Sequence, residues 1–414
     1  MRRLGPFAHG REPRASIEAK ERAVECKTPH RRELHGQRDL VFGAREHAPK
    51  LSERGREGKG TGRVNRPCVS GKLSPCMTAH THLLVANPMA QSGRNAARID
   101  VALRLLRAAG LSARLLPTEP GGRTVQVVRD ALAEESYRCV IAMGGDGTFR
   151  EVAEGLLESP RRDSAALGML PAGTANNHGR SFGLRAGERA LERNVRVLAA
   201  GRETQLDAGK LHAMDGAGRT VTRATFFDSV GFGIGAAVIA ARNVDRDRAR
   251  RLGKAFALYR DELVYAGALI RTLVASQNPD VDFVADVVAD DARFEARLTE
   301  LLIRGTRVYA GGWVVDPTSR HDDGLFEVFP FPTRHDWLRR ATVGLSIGPL
   351  ARAGFVAPTA PPGTRRASRI DVHFRVPEGG APPPCQLDGE EFPRAECASI
   401  EVIARALRLI VPDK

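Results

Sequence analysis

The sequence predicts an α/β fold: a parallel-sheet region first, then a second, largely antiparallel β region. Three observations carry this. Between Leu83 and Leu170, short continuous apolar runs alternate with stretches whose apolar residues recur at helical spacing. Two of those runs end in glycine-containing turns that lead into helical patterns. After about Asp207 the alternation stops, and strand-like runs follow at irregular spacing.

Leu83-Leu84-Val85-Ala86 reads as a first strand, closed by Asn87-Pro88. Ile99, Ala102, Leu103 and Leu106 then mark an amphipathic helix ended by Gly110. Ala113-Arg114-Leu115-Leu116 is a second strand, and Val125, Val128, Ala131 and Leu132 mark a second helix. A third strand, Cys139-Val140-Ile141-Ala142-Met143, runs into Gly144-Gly145-Asp146-Gly147-Thr148 and a helix from Phe149 to Leu157. Leu167-Gly168-Met169-Leu170 is a fourth strand, followed by the turn Pro171-Ala172-Gly173-Thr174-Ala175-Asn176-Asn177 and a further helix. In such a sheet ligands sit at the carboxyl ends of the strands, so both glycine turns are expected at one edge. In the second region Thr225-Phe226-Phe227, Ala285 to Val288, Leu301-Leu302-Ile303 and Phe326 to Phe329 read as strands, with one helical insertion around 246–275.

Composition sets the outer bounds. The chain has 414 residues, 42% of them hydrophobic, enough for two domains and an appendage. Its net charge of +14 is uneven: residues 1–76 hold 18 Lys and Arg against 9 Asp and Glu, a net of +9, leaving +5 for the rest. That first segment is broken by charges, Gly and Pro, and is expected to be disordered. A start codon assigned too far upstream explains it equally well, with Met77 as the natural start. Nucleic-acid binding through this segment is not expected, since most of the basicity lies outside the patterned chain. No stretch reaches the roughly 18 apolar residues needed to cross a bilayer, so a soluble or peripheral protein is expected. The six cysteines show no CxxC pair, and neither zinc nor a disulfide framework is indicated.

The chemistry lies in the turns. Glycines let backbone N–H groups approach phosphate oxygens, a following helix start adds positive dipole, and Thr148 adds a hydroxyl. Asp146 inside such a cradle is costly beside phosphate unless it serves a metal or a reacting hydroxyl; a tight turn with Asp146 as a cap is the plain alternative. Gly173, Thr174, Asn176 and Asn177 would add a hydroxyl and two amides from the neighbouring strand end. His178 reads as a surface histidine at a helix start.

The run from Ala142 to Thr148, followed by Leu170 to Asn177, resembles the diacylglycerol kinase catalytic-domain family, nearest to its bacterial lipid kinases and to the sphingosine and ceramide kinases. The resemblance covers roughly residues 80–412 and includes Phe227 to Val238, Tyr309-Ala310-Gly311-Gly312, Asp322-Asp323-Gly324-Leu325 and Leu387-Asp388-Gly389-Glu390. It implies an NAD kinase/diacylglycerol kinase-like fold: a Rossmann-like nucleotide domain over 79–206 and a β-rich lipid kinase domain over 207–412. It implies ATP bound by Thr118, Gly144, Gly145, Asp146, Gly147, Thr148, Phe149, Arg150, Gly173, Thr174 and Asn176. It further implies Mg²⁺ associated with Arg320, Asp323 and Leu325, and Glu390 as proton acceptor with Asp388 beside it. Asn177 stands where many members have Asp, which leaves the substrate less defined.

The expected activity is transfer of the ATP γ-phosphate to a lipid hydroxyl, such as that of diacylglycerol or a sphingoid base. The expected partner is a lipid at a membrane surface, met peripherally from the cytoplasmic side; a homodimer is compatible with this. The alternatives are NAD kinase, which shares the Gly-Gly-Asp-Gly turn, and a silent lipid- or nucleotide-binding regulator. Two decoys fail. Gly58-Lys59-Gly60-Thr61 lacks Ser or Thr after the lysine and a preceding strand, and Gly231 to Ala236 lacks a surrounding βαβ unit. The basic stretch from Asp245 to Thr272 fits an anionic lipid surface as well as a solvated helix face.

Overall fold

The computed structural model describes residues 80–88, 94–173, 175–251, 282–352 and 363–413. The basic first segment, Thr174, and the decoy at Gly58 to Thr61 lie outside the described residues, as does the basic stretch beyond Arg251.

The first half alternates as expected: β1 (His82–Ala86), α1 (Arg94–Ala108), β2 (Ala113–Pro117), α2 (Thr124–Glu134), β3 (Cys139–Gly144), α3 (Asp146–Leu157), β4 (Ala166–Pro171), α4 (Asn177–Ser181) and α5 (Glu188–Ala200). The strands lie in the order β2-β1-β3-β4 and are all parallel. Their continuous apolar runs follow from burial on both faces. Leu83, Val85, Val140, Ala142 and Leu167 pack with residues of α2 and α3. Leu84, Ala86, Ile141, Met143 and Leu170 pack with residues of α1 and α5. The helix expected after the second glycine turn is divided into the five-residue α4 and the longer α5.

The second half comprises β5 (Glu203–Met214), β6 (Thr220–Phe226), β7 (Ser229–Gly233), α6 (Ile234–Arg251), β8 (Phe283–Ala289), β9 (Ala292–Leu298), β10 (Glu300–Arg304), β11 (Val308–Tyr309), β12 (Trp313–Val314), β13 (Phe326–Phe331), α7 (Arg334–Arg352), β14 (Arg365–Ala367), β15 (Arg369–Arg375), β16 (Cys385–Leu387), β17 (Glu390–Phe392) and β18 (Cys397–Ile410). Its strands pair almost wholly antiparallel. One sheet runs β14-β13-β10-β7-β16-β17, and β15, β8 and β9 extend the parallel sheet through β18. The two layers enclose a core of Val230, Phe232, Leu301, Ile303, Val372 and Phe374 among others. Strand β8 alternates buried and half-buried residues, as a strand with one covered face should, whereas β10 is buried throughout.

β18 is the tie between the halves. Its first residues pair antiparallel with β15, it pairs with β5 along most of its length, and Leu409 pairs parallel with Leu167 of β4. The boundary expected at 206/207 falls inside β5. Helix α6 begins at Ile234, well before the insertion expected at 246, because it follows directly on β7. Gly233 makes that join possible: its φ is +119°, and a Cβ there would come 2.1 Å from the Thr299 carbonyl oxygen. β7 pairs antiparallel on both sides, so the dinucleotide-like pattern from Gly231 is a strand-to-helix corner. Among the described residues no helix is long and apolar enough to cross a membrane.

Candidate active site

The two glycine turns meet at the carboxyl edge of β3 and β4. Gly144 pairs with Pro171, and the Ala172 N–H donates to the Gly144 carbonyl at 2.8 Å. A Cβ on Gly173 would fall 2.5 Å from the Gly145 Cα. Only glycine allows the turns to touch there. Helix α3 starts at Asp146 with Gly145 at its cap position and no side-chain cap, so its first N–H groups point outward, and a Cβ on Gly147 would meet nothing within 4 Å. An uncapped helix start behind open space suits an anion. Thr118 follows β2 at the same edge, its N–H donating to the Ala86 carbonyl at 2.9 Å.

Four of the residues expected to bind phosphate are engaged within the protein itself. Phe149 is 4% exposed, its ring lies in the core, and its N–H donates to Gly145 O at 3.0 Å. Asn176 adopts φ 51° and closes the second turn: its Oδ1 accepts from Gly173 N at 3.0 Å and its Nδ2 donates to Gly173 O. That also occupies the Gly173 N–H. Arg150 pairs with Glu154 at 3.8 Å along α3.

Asp146 turns out to cap a helix, though α4 rather than its own. Its carboxylate accepts from the backbone N–H of Asn177 at 3.1 Å and of His178 at 3.2 Å, and lies 3.2 Å from His178 Nδ1. Burial alone would raise its pKa. The hydrogen bond and charge of His178, with the two amides, outweigh this and hold Asp146 below the ordinary range. His178 is not on the surface as expected. It is 1% exposed, with its ring stacked on Phe149 at 4.2 Å. Burial lowers its pKa, but Asp146, with Asp228 and Asp388 behind it, raises it overall. Asn177 Oδ1 accepts from Gly311 N at 2.7 Å, a role an Asp oxygen would fill equally.

The turn between β16 and β17 carries the other two carboxylates. Asp388 is buried, with φ 47°, and accepts three backbone N–H bonds, from Phe227 at 3.0 Å, Asp228 at 2.8 Å and Ser229 at 3.0 Å. Burial, helped by the neighbouring Asp228, raises its pKa although His178 and the amides pull the other way. Asp228 itself is ion-paired at 2.8 Å with the fully buried Arg304, whose Nη2 also reaches Thr306 and Val308. Asp228 lies within the Phe227 to Val238 stretch but was given no role there, and Arg304 was not singled out in the sequence. Glu390 is exposed at the start of β17, paired with Leu387 in the strand ladder, and its side chain has no hydrogen bond or ion pair among the described residues. The turn is braced by Arg242 of α6 on Gly389 O and by Gln386 Oε1 on Gly389 N at 2.8 Å.

The loop from Arg320 to Leu325 does not fit a preformed Mg²⁺ cage. Arg320 pairs with Asp322 at 3.2 Å, and Asp323 is bound by Arg366 and by the Leu325 N–H at 3.2 Å. Asp207, close by, has its two oxygens on Gly324 N at 2.7 Å and Arg405 N at 2.6 Å. Among the described residues no three His, Cys, Asp or Glu side chains group to hold a metal. The loop abuts the residue after α4, where His321 meets Phe182 edge-on at 4.7 Å.

Comparison with known proteins bears on the family and the fold. The family described as diacylglycerol kinase catalytic domain matches residues 81–211. A YegS-like lipid kinase of Pseudomonas aeruginosa strain PAO1 is 30% identical over 262 residues, covering 62% of this chain and 74% of the relative. A diacylglycerol kinase of Staphylococcus saprophyticus is 33% identical over 114 residues, 28% of this chain and 35% of its own. In fold, the chain resembles a diacylglycerol kinase structure from Bacillus anthracis with a TM-score of 0.57 at 18% identity, covering 81% of this chain and 98% of the other. On the fold, the paired glycine turns and these similarities together, the chain belongs to the diacylglycerol kinase catalytic-domain family of lipid kinases.

Proposed function

We propose that the protein transfers the γ-phosphate of ATP to a hydroxyl of a lipid such as diacylglycerol or a sphingoid base. The observation that carries this reading is the contact of the Gly145 and Gly173 turns beside the uncapped start of α3. Within a lipid kinase family, an anion cradle of this kind is suited to the phosphates of ATP. The backbone N–H groups at the head of α3, with Thr148, offer donors as charge builds on the transferring phosphoryl oxygens.

Glu390 is the proton acceptor in this scheme. The lipid oxygen forms its bond to γ-phosphorus, its proton passes to the Glu390 carboxylate, and the bond between γ-phosphorus and the bridging oxygen breaks to release ADP. Asp388 supports the step by fixing the turn that presents Glu390. Mg²⁺ belongs to this reading only as the ion that ATP phosphates carry, since it characteristically binds through substrate phosphates and few protein groups. The lipid would be met at a membrane surface by peripheral contact.

The test is transfer from labelled ATP with Mg²⁺, using the full chain, to diacylglycerol, sphingosine, ceramide and monoacylglycerol in mixed micelles, with NAD⁺ as a parallel acceptor. Label on a lipid is the expected outcome and names the substrate class. Label on NAD⁺ alone, or on no acceptor while ATP is still bound, would overturn the reading.

A further inference from the structure

His178 is a titratable side chain that the reaction scheme leaves unused. It is the second residue of α4, almost fully buried, with Nδ1 and its own N–H both on Asp146 Oδ1. Gly144, Gly145, Asp146, Phe149, Asn176 and His178 line one small cavity. Its Nε2 is buried and has no hydrogen-bond partner among the described residues. Three acidic groups face it from three elements: Asp146 of α3, Asp228 between β6 and β7, and Asp388 between β16 and β17. Of these, Asp228 has Arg304 as its own cation and Asp388 has three amides. For Asp146, His178 is the one basic side chain in contact among the described residues.

Asp146 poses an electrostatic problem in an ATP site. Its carboxylate is 14% exposed and heads the helix start where phosphate would settle. Left unbalanced, it would repel that phosphate through a medium that screens poorly. An imidazole 3.2 Å away balances it from the buried side. The same short helix is fastened to the second half of the chain at two points: Gly311 N on Asn177 Oδ1 at 2.7 Å, and Val308 N on Ser181 Oγ at 3.1 Å. The ring continues the link, since Phe149 beneath it meets Phe227 edge-on at 6.2 Å, and Phe227 N donates to Asp388.

We propose that His178 is a positioning residue for phosphoryl transfer, which neutralises Asp146 beneath the phosphate turns and holds those turns in register with the Asp388 turn that presents Glu390. The inference rests on the kinase reading above and assigns a role that the motif residues themselves do not supply.

The experiment compares the full-length wild type with His178→Phe, which keeps a ring on Phe149 but loses both nitrogens, and with His178→Asn, which keeps a donor without charge. Measured are kcat, the KM values for ATP and lipid, and the rise in Tm produced by ATP. His178→Phe is expected to raise KM for ATP about 10-fold or more, lower kcat, leave KM for lipid near its original value and shrink the ATP-induced rise in Tm. Adding Asp146→Asn should restore ATP affinity, because Asn keeps an oxygen for the α4 amides and removes the unbalanced charge. A purely structural His178 gives a parallel fall in Tm and activity that Asp146→Asn does not repair, and that result, or an unchanged KM for ATP, would overturn the proposal. If His178→Phe does not fold, His178→Asn with and without Asp146→Asn makes the same comparison. A wild type inactive on every lipid defeats the kinase reading, while the ATP-induced Tm rise still tests His178.

Discussion

The phosphate edge and the β16–β17 turn solve the same problem with opposite electrostatics. Each holds an aspartate, half-buried at the first and buried at the second, that fixes a turn by accepting backbone N–H bonds: Asp146 takes those of Asn177 and His178, and Asp388 takes those of Phe227, Asp228 and Ser229. At the phosphate edge the carboxylate is set against a histidine, which suits a site meant for anions. At the other turn it is set beside Asp228, and a second carboxylate, Glu390, is left exposed at the next strand's start. An aspartate within its turn is short enough to clamp it, whereas the longer glutamate beyond the turn keeps its oxygens for a reacting group. In the proposed reaction, the two aspartates build the site and Glu390 is the residue proposed to take the proton.

The largest effect expected from that division is at Glu390. Glu390→Gln should reduce turnover by about 10²–10⁴-fold, the usual worth of a positioned proton acceptor, while the unfolding temperature stays unchanged. Turnover near wild type in the lipid assay would remove Glu390 from the reaction. Asp388→Ala should do the reverse and act first on folding. It leaves three buried donors unpaired, at a cost of about 3–5 kcal/mol, readable in denaturant melts. A stable Asp388→Ala protein with reduced turnover would show that the division is wrong and that Asp388 acts in the chemistry.

Acidity sharpens the contrast between the two aspartates. Asp146 has a depressed pKa in the folded state, so its stabilisation is present above the ordinary value of 3.8 and is lost as pH falls through the depressed value. Asp388 has a raised pKa, so the folded state retains its proton longer and stability declines as pH rises from 3.8 through the raised value. The stability penalty of Asp146→Asn should therefore grow as pH rises from the depressed value to 3.8 and level off above it, and that of Asp388→Asn should shrink across its own window. Melts of both variants over an acid-to-neutral series check this; parallel trends would mean that His178 and Asp228 do not set the two environments apart.

Much of this architecture was readable because it repeats a local pattern. The four parallel strands are continuous apolar runs, and two-sided burial requires such runs. The meeting of the glycine turns followed from placing both at one sheet edge, and the Gly145–Gly173 contact bears that out. What sequence missed depends on contacts across long separations. His178 looked exposed because a histidine at a helix start usually is; its burial comes from Phe149 and from the elements that bring Asp228 and Asp388 near. Asn176 looked like a donor to phosphate, but a residue at φ 51° turns its amide onto its own loop. Asp228 and Arg304 form a buried ion pair across 76 residues of sequence, which no local spacing announces.

The smallest expected effects concern two glycines required for different reasons, one in each turn. Gly173 is limited by space, since a Cβ would stand 2.5 Å from the Gly145 Cα, a backbone atom that cannot rotate away. Gly389 is limited by conformation: φ is +82°, and a Cβ would meet nothing within 4 Å. Gly173→Ala should therefore push the two turns apart, cost about 1–3 kcal/mol as overpacking does, and weaken ATP more than lipid. Gly389→Ala should cost about 1–2 kcal/mol through left-handed strain and lower kcat with little change in KM for ATP, because it tilts the turn before Glu390. Asparagine distinguishes the two causes, since it tolerates the left-handed region but is larger than alanine. Gly389→Asn should recover much of what Gly389→Ala loses, and Gly173→Asn should be worse than Gly173→Ala. If asparagine rescues position 173 instead, the turns are joined by backbone conformation and not by the contact between them.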